Sequence, residues 1–216
     1  MAVQTPLWLD LAAVFTSAVM GALVAVRRDF DVVGVLALAL VTGLGGGVIR
    51  DVLLNQVPVF LHEATYEAAA LAAGGLAVYF APNLTRIGWI LLLSDAIGLG
   101  LYGVVGADKA LVNGIDAFPA VLVGMAAAVG GGVLRDVLIA QPPAIFRRGE
   151  LYALTALAGI VLYVVLDRLG LKLAVSAALA VVVTTGLRLV AVRRGWHGPV
   201  PIDAVTSVRR SVSRRR

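Results

Sequence analysis

The chain has 216 residues, 60% hydrophobic and only 14% charged, with a mean hydropathy of +0.96. So large an apolar surplus exceeds what one soluble core holds, since soluble domains carry about 25% charged residues; the bilayer is the natural solvent, and no length remains for a separate soluble domain. The net charge of +5 belongs to one end, where Arg193, Arg194, Arg209, Arg210, Arg214, Arg215 and Arg216 face one acid, Asp203, which excludes the basic folded face that nucleic-acid binding requires.

At the start of the chain, Met1 to Pro6 lack a basic n-region and Asp10 interrupts the first apolar run, so a membrane span is expected there and not a cleaved signal. Seven apolar runs follow at 7–26, 32–54, 64–81, 87–106, 117–140, 151–167 and 171–192. Each is about long enough for a ~30 Å hydrocarbon core. They are punctuated by Arg27-Arg28-Asp29, Asn55 to Pro58, Pro82-Asn83, Asp108-Lys109, Pro142-Pro143 and Asp167-Arg168. An all-α membrane protein is expected, with a seven-helix domain over 1–192 and a basic, disordered cytoplasmic tail over 193–216. Lys and Arg counts set the orientation. Arg27, Arg28, Arg86, Arg147, Arg148 and the tail share one side, against Lys109, Arg168 and Lys172 on the other. The first side is expected to be cytoplasmic, with the N-terminus outside the cell membrane and the C-terminus inside.

Within these runs the sequence repeats itself. Gly45-Gly46-Gly47-Val48-Ile49-Arg50-Asp51 returns 85 residues later as Gly130-Gly131-Gly132-Val133-Leu134-Arg135-Asp136, with ten identities over the fourteen positions 45–58. Asp10 meets Asp95, Gly21-Ala22 meets Gly106-Ala107, Asp31 meets Asp116 and Gly74 meets Gly159 in the same register. Repeat one is expected over 7–81 and repeat two over 87–167, with the seventh helix, 171–192, outside the duplication. Three spans per copy is an odd number, so the copies enter the membrane from opposite sides. Inverted repeats of this kind place a solute path near the midplane, where their helices meet.

The polar groups inside the spans mark that path. Glycine allows close helix packing and also weakens a helix enough to kink it. Three in a row, on three faces, exceed what one packing seam needs, so kinks lining a path are expected at Gly45, Gly46, Gly47 and at Gly130, Gly131, Gly132. Ionisable groups at such depth are costly unless paired or hydrated, which makes Arg50, Asp51, Arg135 and Asp136 path candidates; the competing reading is a helix end with a snorkelling arginine. Neighbours on a helix do not face each other, so Arg50 is expected to pair across helices and not with Asp51. Asp10 and Asp95 are candidate partners by register.

Nothing in the sequence carries enzyme chemistry. The triplets lack the preceding strand and the Gly-Lys-Ser/Thr of a phosphate loop. Ser17, Thr42, Ser94, Thr184 and Thr185 read as helix-bonded hydroxyls. With no cysteine and two distant histidines, His62 and His197, neither a metal site nor a cofactor is expected.

The stretch Leu9-Asp10, Met20-Gly21-Ala22, then Gly45 to Asp51 with Pro58, resembles the bacterial branch of the trimeric intracellular cation (TRIC) channels, a family also described as glycine-transporter-like. Asp95-Ala96, Gly106-Ala107, Gly130 to Asp136 and Pro143 carry the same pattern, and the resemblance covers roughly 7–192. Met20 stands where that family usually has serine, and Val57 where proline is common. The resemblance implies seven helices, a homotrimer with a pore inside each protomer, kinked spans two and five lining it, and potassium and sodium ions as permeant partners. The alternative function is a secondary carrier of glycine or a similarly small amino acid, its carboxylate held by a guanidinium or a half-helix N-terminus.

Overall fold

Seven α-helices and no strand run through the described residues of the computed structural model, which are 6–80, 87–147 and 151–196. They are α1 (Leu7–Val26), α2 (Val32–Leu53), α3 (Thr65–Phe80), α4 (Ile87–Val112), α5 (Ala117–Leu138), α6 (Tyr152–Arg168) and α7 (Leu173–Arg194). Short 3-10 turns at Val59–Leu61 and Ala144–Phe146 precede α3 and α6. Pro82-Asn83, Arg86, Arg148, His197 and the expected tail beyond Trp196 lie outside the described residues, as do Met1 to Thr5.

Helix is the form these runs must take, because hydrocarbon offers no partner for a backbone N–H or C=O and a helix satisfies both internally. The punctuation ends each helix locally. The Asp31 side chain caps α2 by accepting from the Gly34 N–H at 2.7 Å. Asn55 and Ala140, at matching positions after α2 and α5, both turn into the left-handed region, with φ of 54° and 53°.

α1, α2, α4, α5 and α7 are each long and apolar enough to cross a membrane. The other two, α3 and α6, have 16 and 17 residues, roughly 24–26 Å at 1.5 Å per residue. Large apolar side chains such as Val33, Phe118, Leu122 and Val182 stand on the outside of the bundle, where water would penalise them and lipid does not. This is a multi-pass membrane protein.

Two helix ends differ from the expected ones. α4 does not stop at 106 but continues to Val112, so Asp108 and Lys109 are helical and not a loop. Asp108 is buried against the Tyr163 hydroxyl of α6, and Lys109 reaches Asp10 on α1; each charge has a partner that lets it sit in the bundle. α7 likewise runs to Arg194, which makes Arg193 and Arg194 its last turn and not the start of a tail.

α1, α2 and α3 pack on one another, as do α4, α5 and α6. The two groups join through α2 on α5 and α1 on α4, while α7 covers α4 and α6. Arg28 donates to the Ile139 carbonyl and Arg193 stacks on Trp89 at 4.9 Å. These contacts gather the end of α1, the start of α4 and the ends of α5 and α7 at one end of the bundle.

Candidate functional site

Both glycine triplets lie where α2 crosses α5, and the backbone stays α-helical through each of them. The triplets bring two backbones together. A Cβ on Gly46 would collide with the Ala127 carbonyl oxygen, and one on Gly131 with that of Thr42. These two contacts are the same contact seen from each copy of the 85-residue repeat. Gly45 faces Gly131 and the Leu134 side chain, and Gly130 faces Ile49. Four of the six glycines thus serve close packing, the usual way helices associate without a hydrophobic driving force.

The third glycine of each triplet does something else. A Cβ on Gly47 would meet nothing nearer than 3.6 Å, and the same holds for Gly132. Each borders a cavity. The one beside Gly47 has about 220 Å3 of empty space, open solvent included, and is lined by Asp10, Arg50, Asp51, Tyr66 and Tyr102 among others. That beside Gly132 has about 300 Å3 of empty space, open solvent included, and its lining includes Ser17, Asp95, Tyr102, Arg135 and Tyr152.

In the first cavity Arg50 is almost fully buried and bridges two carboxylates. Its Nη1 donates to Asp10 Oδ1 at 2.9 Å and its Nε to Asp51 Oδ1 at 2.8 Å. The expectation that Arg50 avoids Asp51 is corrected. Successive helix residues diverge by about 100°, but the arginine stem is long enough to swing its fork back to the next side chain. Lys109 Nζ lies 3.0 Å from Asp10 Oδ2, and the Tyr66 hydroxyl donates to that oxygen at 3.0 Å. Asp51 Oδ2 accepts from the Val59 N–H at 3.0 Å, tying the end of α2 to the following 3-10 turn. Two cations and two carboxylates leave the cluster close to neutral, so its burial costs far less than any one member alone.

The second cavity repeats the plan with different partners. Arg135 Nε and Nη2 both donate to Asp136 Oδ1, at 2.9 and 2.7 Å, while Nη1 rests against the Met20 sulfur. Asp136 Oδ2 accepts from the Ala144 N–H at 3.0 Å, the counterpart of Asp51 and Val59. Asp95 and Arg135 line the same cavity, but the ion pair of Asp95 is with Arg188 of α7, at 3.8 Å. Tyr152 donates to Asp95 at 3.3 Å and carries the Arg188 guanidinium over its ring at 4.8 Å. Asp95, one of the two candidate partners that register offered, thus forms its ion pair with α7 and faces Arg135 across the same cavity. Arg188 comes from the helix outside the duplication, and no repeat argument reaches it.

Sequence reasoning also passed over Lys109, Tyr66, Tyr102 and Tyr152. Arg188, inside the apolar run 171–192, was a legible signal, because intramembrane charge marks function by default. The tyrosines were harder, since Tyr66 and Tyr152 are 86 residues apart and slip one position from the repeat register. Among the described residues no group of three or more His, Asp or Glu is placed to hold a metal ion.

Comparison with known proteins places this architecture. The family model described as "Glycine transporter" matches the chain twice, over residues 7–82 and 92–168. The inner membrane protein YadS of Escherichia coli K12 is 34% identical over 201 residues, 92% of this chain and 96% of that one. A Deinococcus radiodurans protein named "UPF0126 membrane protein" is 44% identical over 154 residues, covering 70% of this chain and 72% of its own length. Among solved structures, the TRIC trimeric intracellular cation channel orthologue from Rhodobacter sphaeroides superposes with a TM-score of 0.82 at 35% identity, covering 87% of this chain and 97% of that chain. A second TRIC cation channel structure gives 0.79 at 34% identity, covering 90% and 96%.

Proposed function

The chain belongs to the family described as "Glycine transporter", and from that premise we propose that it is a monovalent cation channel, passing potassium and sodium through a pore inside each protomer of a homotrimer. The observation that carries this reading is the pair of cavities on opposite sides of the α2–α5 crossing, each with a buried arginine held by carboxylates. Gly45, Gly46, Gly130 and Gly131 form the crossing; Gly47 and Gly132 line the path. Arg50 with Asp51, and Arg135 with Asp136, brace its walls, and Asp10 and Asp95 complete the two clusters. Neutralised arginines do not repel a passing cation, as free ones would. Similarity to the Rhodobacter sphaeroides channel supports a permeant cation and the trimer.

The same geometry disfavours a carrier for glycine. A substrate carboxylate needs an uncommitted guanidinium or a half-helix N-terminus, whereas Arg50 is shared between Asp10 and Asp51, Arg135 is forked onto Asp136, and α2 and α5 run unbroken past both. Purified protein in planar bilayers under a potassium gradient should give unitary currents that reverse toward the potassium equilibrium potential. Proteoliposomes should show no saturable glycine uptake. Saturable glycine uptake without unitary current would replace this reading with the carrier.

A further inference from the structure

Tyr102 belongs to both cavities, and we propose that its side chain is the movable barrier between them; the proposal deepens the channel reading by naming where the path is shut. The ring sits at the level of the α2–α5 crossing, 3.3 Å from where a Cβ on Gly46 would stand and 3.9 Å from one on Gly47. Its hydroxyl donates to the Gly43 carbonyl, and the residue is 2% exposed. The first cavity lies on one side of it and the second on the other.

The wall between the cavities has two components. One is the helix crossing itself, where Gly46 and Gly131 touch the opposite backbone and only displacement of whole helices opens a gap. The other is the Tyr102 ring, which needs a change of rotamer and the loss of one hydrogen bond. The repeat isolates this element further. At the 85-residue offset Tyr102 corresponds to Ser17, so the inverted copy places a small hydroxyl where this one has a phenol. Ser17 lines the second cavity alone and leaves no ring at the crossing. One half of the pseudo-symmetric path is therefore narrowed by a side chain that the other half lacks. Rotation of Tyr102 away from Gly43 joins the two cavities.

The chain has no cysteine, so Gly47→Cys and Gly132→Cys each supply one thiol in a cavity that has room for it. In vesicles, a membrane-impermeant thiosulfonate should modify Gly47→Cys from one face and Gly132→Cys from the other, with each slow from its far face. Adding Tyr102→Phe removes the hydroxyl and keeps the ring. It should raise the far-face rates, and the ratio of open to closed time in bilayers, by about two- to tenfold, the range expected for one hydrogen bond. Tyr102→Ser, which copies Ser17, should abolish the sidedness altogether. Equal modification from both faces before any change at Tyr102 would overturn the barrier, and so would sidedness that survives Tyr102→Ser. A wild type without potassium current would refute the channel reading, while the thiol pattern would still decide whether Tyr102 separates the cavities.

Discussion

Arg50 shows what a buried charge demands of its neighbours. It is 1% exposed and holds Asp10 and Asp51 together, with Lys109 as a second cation on the same carboxylates. Arg50→Ala strands two carboxylates that Lys109 alone serves poorly. A loss of about 3–5 kcal/mol is expected, seen as a fall in the melting temperature of purified protein in detergent. Arg50→Lys should recover part of it, since the charge returns without the planar fork that reaches both acids. Lys109→Met should cost much less, because Arg50 remains and the ammonium is 18% exposed. If Arg50→Ala melts with wild type, Arg50 is a snorkelling end group and the site assignment falls.

At the scale of elements the triplets make a sharper prediction. Gly46→Ala and Gly47→Ala differ by one position and add the same methyl group. In Gly46→Ala that methyl meets the Ala127 carbonyl at a distance no real contact allows, so α2 and α5 must separate; overpacking of this kind costs about 1–3 kcal/mol. In Gly47→Ala the methyl enters open cavity, and alanine is the better helix former by about 1 kcal/mol. Thermal stability should therefore fall for the first and hold or rise for the second; the reverse order would contradict the crossing. Helix ends offer a second case. Ala140 adopts the left-handed conformation that its counterpart Asn55 tolerates more easily. Ala140→Asn should raise the melting temperature, by an amount corresponding to about 1 kcal/mol or less.

For the whole molecule the testable quantity is orientation. Arg27, Arg28 and Arg147 follow, and Arg193 and Arg194 end, elements that meet at one end of the bundle, while Lys109, Arg168 and Lys172 belong to the other. By the positive-inside tendency the arginine-rich end is proposed to be cytoplasmic and the N-terminus external. Reporter fusions after residues 30 and 192 should read cytoplasmic, and one after residue 60 external. A cytoplasmic reading at residue 60 would refute the orientation.

What the sequence determined by itself is whatever depends on composition and on register along the chain. Apolar run lengths specified the helices, and the 85-residue repeat related Gly46 to Gly131 and Arg50 to Arg135. These follow from bilayer thickness and a fixed offset, neither of which needs a third dimension. Only the tertiary structure decided which charges meet. Asp95 turned to Arg188 because α7 covers α4 and α6, a neighbour the duplication does not contain. Lys109 left the loop for α4 because Asp10 on another helix receives it. Glycine triplets read the same as kinks or as close packing until the partner backbone is seen. The separation of Gly46 from Gly47, one against a carbonyl and one against a cavity, is set by α5 and not by the order of residues in α2.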